Sequence, residues 1–189
     1  MSTLAPFHFP LLIAVARKVC LFLCSHPINV LHGFNAHLIG SGDDEGAVKL
    51  WDMRTRNCAR HFSENEDFVS DMVYLEDKHT LLVTSGDGSM TIYDIRKDEP
   101  LDRTDMLKDE LLSLALMKNG KSVVCGSQSG ILYNYRYGDW FDVPQRFPGH
   151  PQSVDTVVKI TEDLMVTGSS DGLIRFAPFR LHFSPAEES

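Results

Sequence analysis

The chain has 189 residues, 43% of them hydrophobic, and sets 18 Lys and Arg against 26 Asp and Glu, a formal net charge of −8. That size permits one domain with a sizeable core, and the acidic balance argues against bulk phosphate-backbone binding, which needs a positive footprint, while leaving local basic patches open. Four cysteines, Cys20, Cys24, Cys58 and Cys125, are scattered rather than framed, which speaks against a disulfide scaffold and suits a reducing compartment.

Residues 1–27 read as a divergent N-terminal segment. The stretch PLLIAVARKVCLFLC (10–24) is apolar but broken at its middle by Arg17 and Lys18. It is shorter than the roughly 20 residues that span a bilayer, and two central charges are costly there. No basic residue precedes Arg17, so the n-region of a signal peptide is missing. Membrane association is not expected; a helix or a degenerate strand fits better. Cys20, Cys24, His26, His32 and His37 could be imagined as zinc ligands, but the cysteine pair is spaced more widely than the tight pair usual for structural zinc. Apolar packing is the plainer reading, and no metal or cofactor is expected.

From residue 28 onward one pattern returns. The segments 28–54, 69–96, 111–136 and 154–179 superimpose, with turn glycines at Gly46, Gly88, Gly130 and Gly172, each 42 residues after the last. Within a unit, an alternating run such as Val69 to Tyr74 meets a polar turn and a second apolar run follows, as in Leu81 to Thr84. A tight glycine turn then leads to a third alternating run, as in Ala47 to Trp51. The linkers 55–68, 97–110 and 137–153 leave room for a fourth, outer strand, with Leu101–Met106 and Asp142–Phe147 as candidates. The units are taken as about 28–67, 68–109, 110–152 and 153–183, with 184–189 a tail. Four antiparallel strands every ~40–45 residues is the signature of a propeller blade, whose faces are buried only by stacking on neighbours. The expected fold is all-β, a β-propeller with four recognisable blades, small residues near the axis and Trp51, Tyr93 and Tyr135 farther out.

The third-strand ending KLWD (49–52) and the Gly149-His150 dipeptide four residues before Val154 resemble the WD40 family. The resemblance implies a buried network of His, a second-strand hydroxyl, a turn Asp and a Trp. His150, Thr167 or Ser169, and Asp171 could fill three places in the fourth unit, where Ala177 stands for the Trp. The first unit has Trp51 but Glu45 at the turn, the second Asp87 and Tyr93, the third Ser129. More narrowly, GDDEGAVKLWD (42–52), TSGDGSMTIYDIR (84–96), ELLSLALMKNGKSVVCGSQSG (110–130) and TGSSDGLIRF (167–176) are similar to the WD repeat-containing protein 55 family, over about residues 28–176. That family carries a full propeller of about seven blades. Four units could formally close a small ring, but the resemblance makes them read as part of a larger one, with apolar faces open at both ends.

What this resemblance implies is a non-catalytic interaction scaffold in ribosomal RNA processing and ribosome biogenesis. Its partners would be pre-ribosomal factors, and its location the nucleus and nucleolus, with the cytoplasm a further place. Trp51-Asp52-Met53-Arg54, echoed by Tyr93-Asp94-Ile95-Arg96, also resembles the box by which WD40 substrate receptors contact the adaptor of cullin-4 ubiquitin ligases. The local alternative is that Asp52 caps the turn and Arg54 pairs with it. A direct RNA-binding role would use Arg54, Arg56 and Arg60, but Glu64, Glu66 and Asp67 follow at once, and a solvated rim is the plainer account. The acidic run Asp43-Asp44-Glu45 is explained by turn formation. No Gly-rich phosphate cradle with a Lys and no His-Glu-x-x-His occurs, so no enzymatic activity is expected.

Overall fold

The computed structural model describes residues 26–55 and 57–179. The segment 10–24, residue Arg56 and the outer-strand candidate at 180–183 lie outside the described residues. The first sheet contains β1 (Ile28–Gly33), β2 (Leu38–Asp43), β3 (Val48–Asp52) and β4 (Asn57–Phe62), and the second β5 (Val69–Leu75), β6 (Thr80–Ser85), β7 (Met90–Asp94) and β8 (Pro100–Arg103). The third contains β9 (Leu111–Met117), β10 (Ser122–Ser127), β11 (Ile131–Arg136) and β12 (Gln145–Pro148), and the fourth β13 (Val154–Thr161), β14 (Leu164–Ser169) and β15 (Ile174–Pro178). Strands pair antiparallel in chain order, so each sheet is a simple meander of four strands, three in the last among the described residues.

The repeated hairpin has one backbone solution. Gly46, Gly88, Gly130 and Gly172 adopt φ of +81° or +82°, the left-handed region in which a side chain is penalised. Each glycine N–H reaches back to the carbonyl three residues earlier, on Asp43, Ser85, Ser127 and Ser169. The outer strands differ from expectation. β8 covers 100–103 rather than 101–106, and β12 covers 145–148 rather than 142–147. In the third unit the residues before β12 form a loop that inserts Trp140 into the core.

Alternation explains how four small sheets share cores. In β6 every residue is buried; Leu81 and Val83 pack with Val48, Leu50 and Phe62 of the first sheet, whereas Leu82 packs with Leu114, Val123 and Cys125 of the third. β10 repeats the device one unit later, with Val124 turned towards Val154, Val157 and Met165 of the fourth. Successive side chains on a strand point to opposite faces, so a strand covered on both sides must be apolar at both parities. The innermost strands β1, β5, β9 and β13 stand side by side. Asp71 on β5 accepts the Leu114 N–H of β9 at 2.8 Å, and Ser113 on β9 donates to the Val154 carbonyl of β13 at 3.2 Å. One sheet hands a polar bond to the next at the same level. Burial pushes the Asp71 carboxyl up, against the hydrogen bonds that Leu114 and Met72 supply.

Candidate interaction rim

The third strands of the first two sheets end in the same construction. After β3, Asp52 Oδ1 accepts the Arg54 N–H at 2.9 Å and Nε at 3.1 Å, while Oδ2 accepts Nη2 at 2.7 Å. After β7, Asp94 does the same for Arg96, at 3.0 Å to the N–H, 2.8 Å to Nε and 2.7 Å to Nη2. A guanidinium is a planar fork matched to a carboxylate, so each pair is a two-point clasp. The pairing is asymmetric in exposure: the Arg54 and Arg96 side chains are 66% and 63% exposed, Asp52 and Asp94 only 18% and 7%. The acids are sunk and the cations presented. The side-chain hydrogen bond from Arg54 holds the Asp52 carboxyl far below the usual range, and that from Arg96 does so for Asp94.

The residue before each Asp anchors the clasp in the core. Trp51 is nearly buried and its Nε1 donates to Ser41 Oγ at 2.8 Å. Tyr93 is fully buried, its ring centroid 4.5 Å from that of Phe62 in the preceding sheet, and burial raises its phenol well above the ordinary value. The turn that follows is fixed in both copies by the same bond. Met53 N–H donates to the His37 carbonyl at 2.7 Å and Ile95 N–H to the His79 carbonyl at 3.1 Å. In the third sheet Arg136 occupies the aspartate's place, and its Nη1 lies 3.6 Å from Asp139.

Arg60 departs from its expected role. It does not stand with Arg54 as a free basic patch: from β4 its Nε donates to the Ile95 carbonyl at 2.9 Å and its Nη2 to the Arg96 carbonyl at 2.7 Å, and it pairs with Asp98. Its charge is spent on the seam between two sheets, where it fixes the second clasp to the first sheet.

The hydrogen-bond network is split between units. His150 Nε2 and Thr167 Oγ1 are 2.8 Å apart, so Thr167 takes the hydroxyl place; Ser169 Oγ points to the Gln152 carbonyl at 3.5 Å. Asp171 does not join them, because Arg175 holds it at 3.1 and 2.5 Å. Burial lowers the basicity of His150. Trp51 with Ser41 forms the other half of the network, in the first sheet.

Glu45 also differs from expectation. Its side chain is exposed, and the turn is held by Asp43, whose Oδ1 accepts Glu45 N–H at 3.2 Å and Ala47 N–H at 2.8 Å. A carboxylate three residues before the glycine reaches both amides; one adjacent to it cannot bond its own N–H in this way. The third unit follows suit, with Ile131 N–H donating to Ser127 Oγ at 3.2 Å, while Ser129 turns to Asp109. In the second and fourth units the residue before the glycine does the work: Asp87 accepts Ser89 N–H at 2.8 Å and Asp171 accepts Leu173 N–H at 2.9 Å.

One residue the sequence reading omits is Asn65. It is buried, donates to the Gly46 carbonyl at 2.9 Å and accepts from Thr91 Oγ1 at 2.9 Å. It stands four residues before Val69, as His150 stands four before Val154, and that spacing was the available signal. Gly168-Ser169-Ser170-Asp171-Gly172 has the spacing of a hydrolase nucleophile elbow, but such an elbow is a strand-to-helix turn. Here it joins two strands, and Ser170 is held by Asp155 at 2.7 Å and Ser153 at 2.6 Å. Among the described residues no group of three or more His, Cys, Asp or Glu is placed to hold a metal, and no helix is long and apolar enough to cross a membrane. Cys58 and Cys125 are free thiols; Cys20 and Cys24 lie outside the described residues.

The chain is 44% identical over 153 residues to WD repeat-containing protein JIP5 of Cryptococcus neoformans, covering 79% of this chain and 41% of that one. It is 40% identical over 148 residues to WD repeat-containing protein 55 of Arabidopsis thaliana, covering 78% and 42%. The chain is a WD40-repeat protein related to the WD repeat-containing protein 55/JIP5 family. It spans about two fifths of the length of these curated relatives. No protein-family model matches it. The fold of this WD40 chain is also that of the Doa1 WD40 propeller domain, with a TM-score of 0.70 at 18% identity over 79% of this chain and 50% of that one. The computationally designed Ika4 protein gives 0.71 at 19% over 85% and 96%. At such identities the likeness concerns the fold alone, and it identifies the meanders of this WD40 chain as propeller blades.

Proposed function

We propose that this chain is a non-catalytic interaction scaffold acting in nuclear and nucleolar ribosomal RNA processing and ribosome biogenesis, with pre-ribosomal proteins as its partners. The observation that carries the reading is the pair of clasps. Consecutive blades present Arg54 and Arg96 outward over sunken Asp52 and Asp94, and Arg60 fixes their spacing. Pre-organised, forked cations on a rigid rim are where interface energy concentrates. The units at 28–67, 68–109, 110–152 and 153–183 are the proposed blades. Depletion should cause precursor ribosomal RNA to accumulate, and re-expression of the Arg54→Ala, Arg96→Ala form should fail to clear it. Normal precursor levels after depletion would end this reading.

A second reading takes the same surface as the contact of a cullin-4 ligase substrate receptor, through Trp51, Asp52 and Arg54 and their counterparts Tyr93, Asp94 and Arg96. The exposure of both guanidinium groups favours it, since each keeps an outward edge after clasping its Asp. Capture of the purified adaptor by the wild-type chain, lost in the double Arg variant, is the expected result. Equal capture by both would remove this reading.

A further inference from the structure

The two rim clasps are alike, but the ground beside them is not. Between the turn joining β1 to β2 and the first clasp lies an open notch of about 360 Å³, lined by Asn35, Ala36, His37, Leu38, Asp52 and Arg54. Counting forward by the 42-residue interval puts Asp77, His79 and Arg96 at the places of Asn35, His37 and Arg54. This rim stays open inside the ring. The second clasp has a sheet on either side, yet Arg96 is 63% exposed against 66% for Arg54, and His79 is exposed as His37 is. The neighbouring sheet reaches that turn from its main-chain side, through Arg60 at the Arg96 carbonyl.

The lining of the first notch is a set of donors. Asn35 Oδ1 accepts the His37 N–H at 2.8 Å and the Leu38 N–H at 3.0 Å. These two bonds fix which end of the amide is oxygen, so Nδ2, a double donor, is left over. Arg54 commits Nε and Nη2 to Asp52; among the described residues its Nη1 has no partner, and the outer edge of the guanidinium is free. The exposed His37 adds a ring N–H. Asp52, the one acid in the lining, is already clasped. Three donor side chains around a cavity with no uncommitted carboxylate make an anion receptor. In the second unit the same ground is closed to an anion. Asp77 puts a carboxylate where the amide donor stands, His79 Nδ1 lies 3.3 Å from the Tyr74 hydroxyl, and Lys78 is drawn over the Tyr137 ring, 3.3 Å from its centroid.

We infer that the notch is a binding site for one carboxylate side chain, Asp or Glu, of a partner protein, a step that rests on reading this rim as an interaction surface. The free Nη1–Nη2 edge of Arg54 is a second planar fork, the shape that holds a carboxylate at two points. Asn35 Nδ2 and the His37 ring N–H complete the shell around it. A single negative charge suits the site better than the nearly double charge of a phosphoryl group. The Asp52 carboxylate occupies the far edge of the same guanidinium, and the whole chain stands at −8.

Nuclear magnetic resonance of the full, isotope-labelled chain tests this by titration. The probes are end-blocked pentapeptides that differ only at the central residue: Glu, Gln or phosphoserine. The Glu peptide should shift the Arg54 Nε–H and Asn35 Nδ2 signals saturably, while the Arg96 Nε–H, the internal reference, stays in place. Asn35→Asp keeps an oxygen for the two turn bonds and removes only the free donor. It should weaken the Glu peptide by about tenfold or more, the loss of one hydrogen bond to a charged group, with unchanged far-UV circular dichroism. No saturable shift with the Glu peptide overturns the inference. So does an equal response to the Gln peptide, an equal shift at Arg96, or full affinity in Asn35→Asp. Tighter binding of the phosphoserine peptide overturns the carboxylate assignment in favour of a phosphoryl group. The titration reads the notch alone: normal precursor ribosomal RNA after depletion leaves a responsive notch standing, and a silent notch leaves the ribosomal reading to its own test.

Discussion

Arg60 and Arg96 are 36 residues apart in sequence, and Arg60 Nη2 donates to the main-chain carbonyl of Arg96 at 2.7 Å. One arginine therefore aims another: the outer strand of the first blade holds the turn from which the second blade presents its rim cation. Arg60→Ala should lower stability by about 1.5–3 kcal/mol, the range for hydrogen bonds made by a charged group. Arg60→Lys should recover only part of it, because a point-like ammonium lacks the rigid planar fork by which Nε and Nη2 reach the two carbonyls. Urea denaturation of the three forms checks this; equal midpoints would mean that the seam holds without Arg60.

The glycine turns give a comparison with an internal reference. Gly130→Ala puts a Cβ into the left-handed region, at about 1–2 kcal/mol, and also drives it against the carbonyls of His150 and Gln152, with overpacking of about 1–3 kcal/mol more. Among the described residues nothing lies within 4 Å of a Cβ at Gly172, so Gly172→Ala meets only the first cost there. Gly130→Ala should be the more destabilising by thermal melting. Equal losses would show that the connector moves aside freely.

Much of this architecture is legible in the sequence because it is periodic. The glycine interval and the alternation in strands such as Leu81–Leu82–Val83 mark the inner three strands of every blade. The outer strands are weaker signals for a physical reason: β12 is exposed at all four residues, so nothing forces an apolar alternation, and its bounds were misplaced by three residues at the start. Arg60 was illegible for a different reason. Its partners are main-chain carbonyls of Ile95 and Arg96, which carry no residue identity, so only the topology brings them together. Asp43 was hidden by choice among neighbours, since three successive acids precede Gly46 and spacing alone does not say which one folds back.

The split network predicts two separable losses. Thr167→Val keeps the volume but removes the hydroxyl that meets His150 Nε2, at a fully buried position. Trp51→Phe removes the donor to Ser41 Oγ and leaves that hydroxyl without its partner. Each should cost about 1–3 kcal/mol, the range for orphaning a buried polar group. Because the two halves sit in the first and fourth blades with no shared residue, the double variant should lose the sum to within about 0.5 kcal/mol. Chemical denaturation of the two single variants and the double would show coupling if the blades communicated through these groups.

The clasped acids set the pH dependence. Asp171 is held down to about 2 chiefly by the side-chain hydrogen bond from Arg175, and Asp52 and Asp94 are depressed by Arg54 and Arg96 in the same way. An unfolded chain returns each carboxyl to about 3.9. A group whose folded pKa lies below its unfolded one stabilises the fold fully above the unfolded value, and that contribution drains away as pH falls through the folded one. For Asp171 the window runs from about pH 4 down to about pH 2. These acids should therefore leave the urea midpoint unchanged above pH 5 and lower it below pH 4, while the partly buried His150, less basic than in an unfolded chain, adds its own fall below about pH 6.5. Asp171→Asn should flatten part of the fall below pH 4, while added salt weakens the effect for pairs at the surface. An acid limb of equal steepness in Asp171→Asn would mean that the Arg175 clasp is not formed in solution.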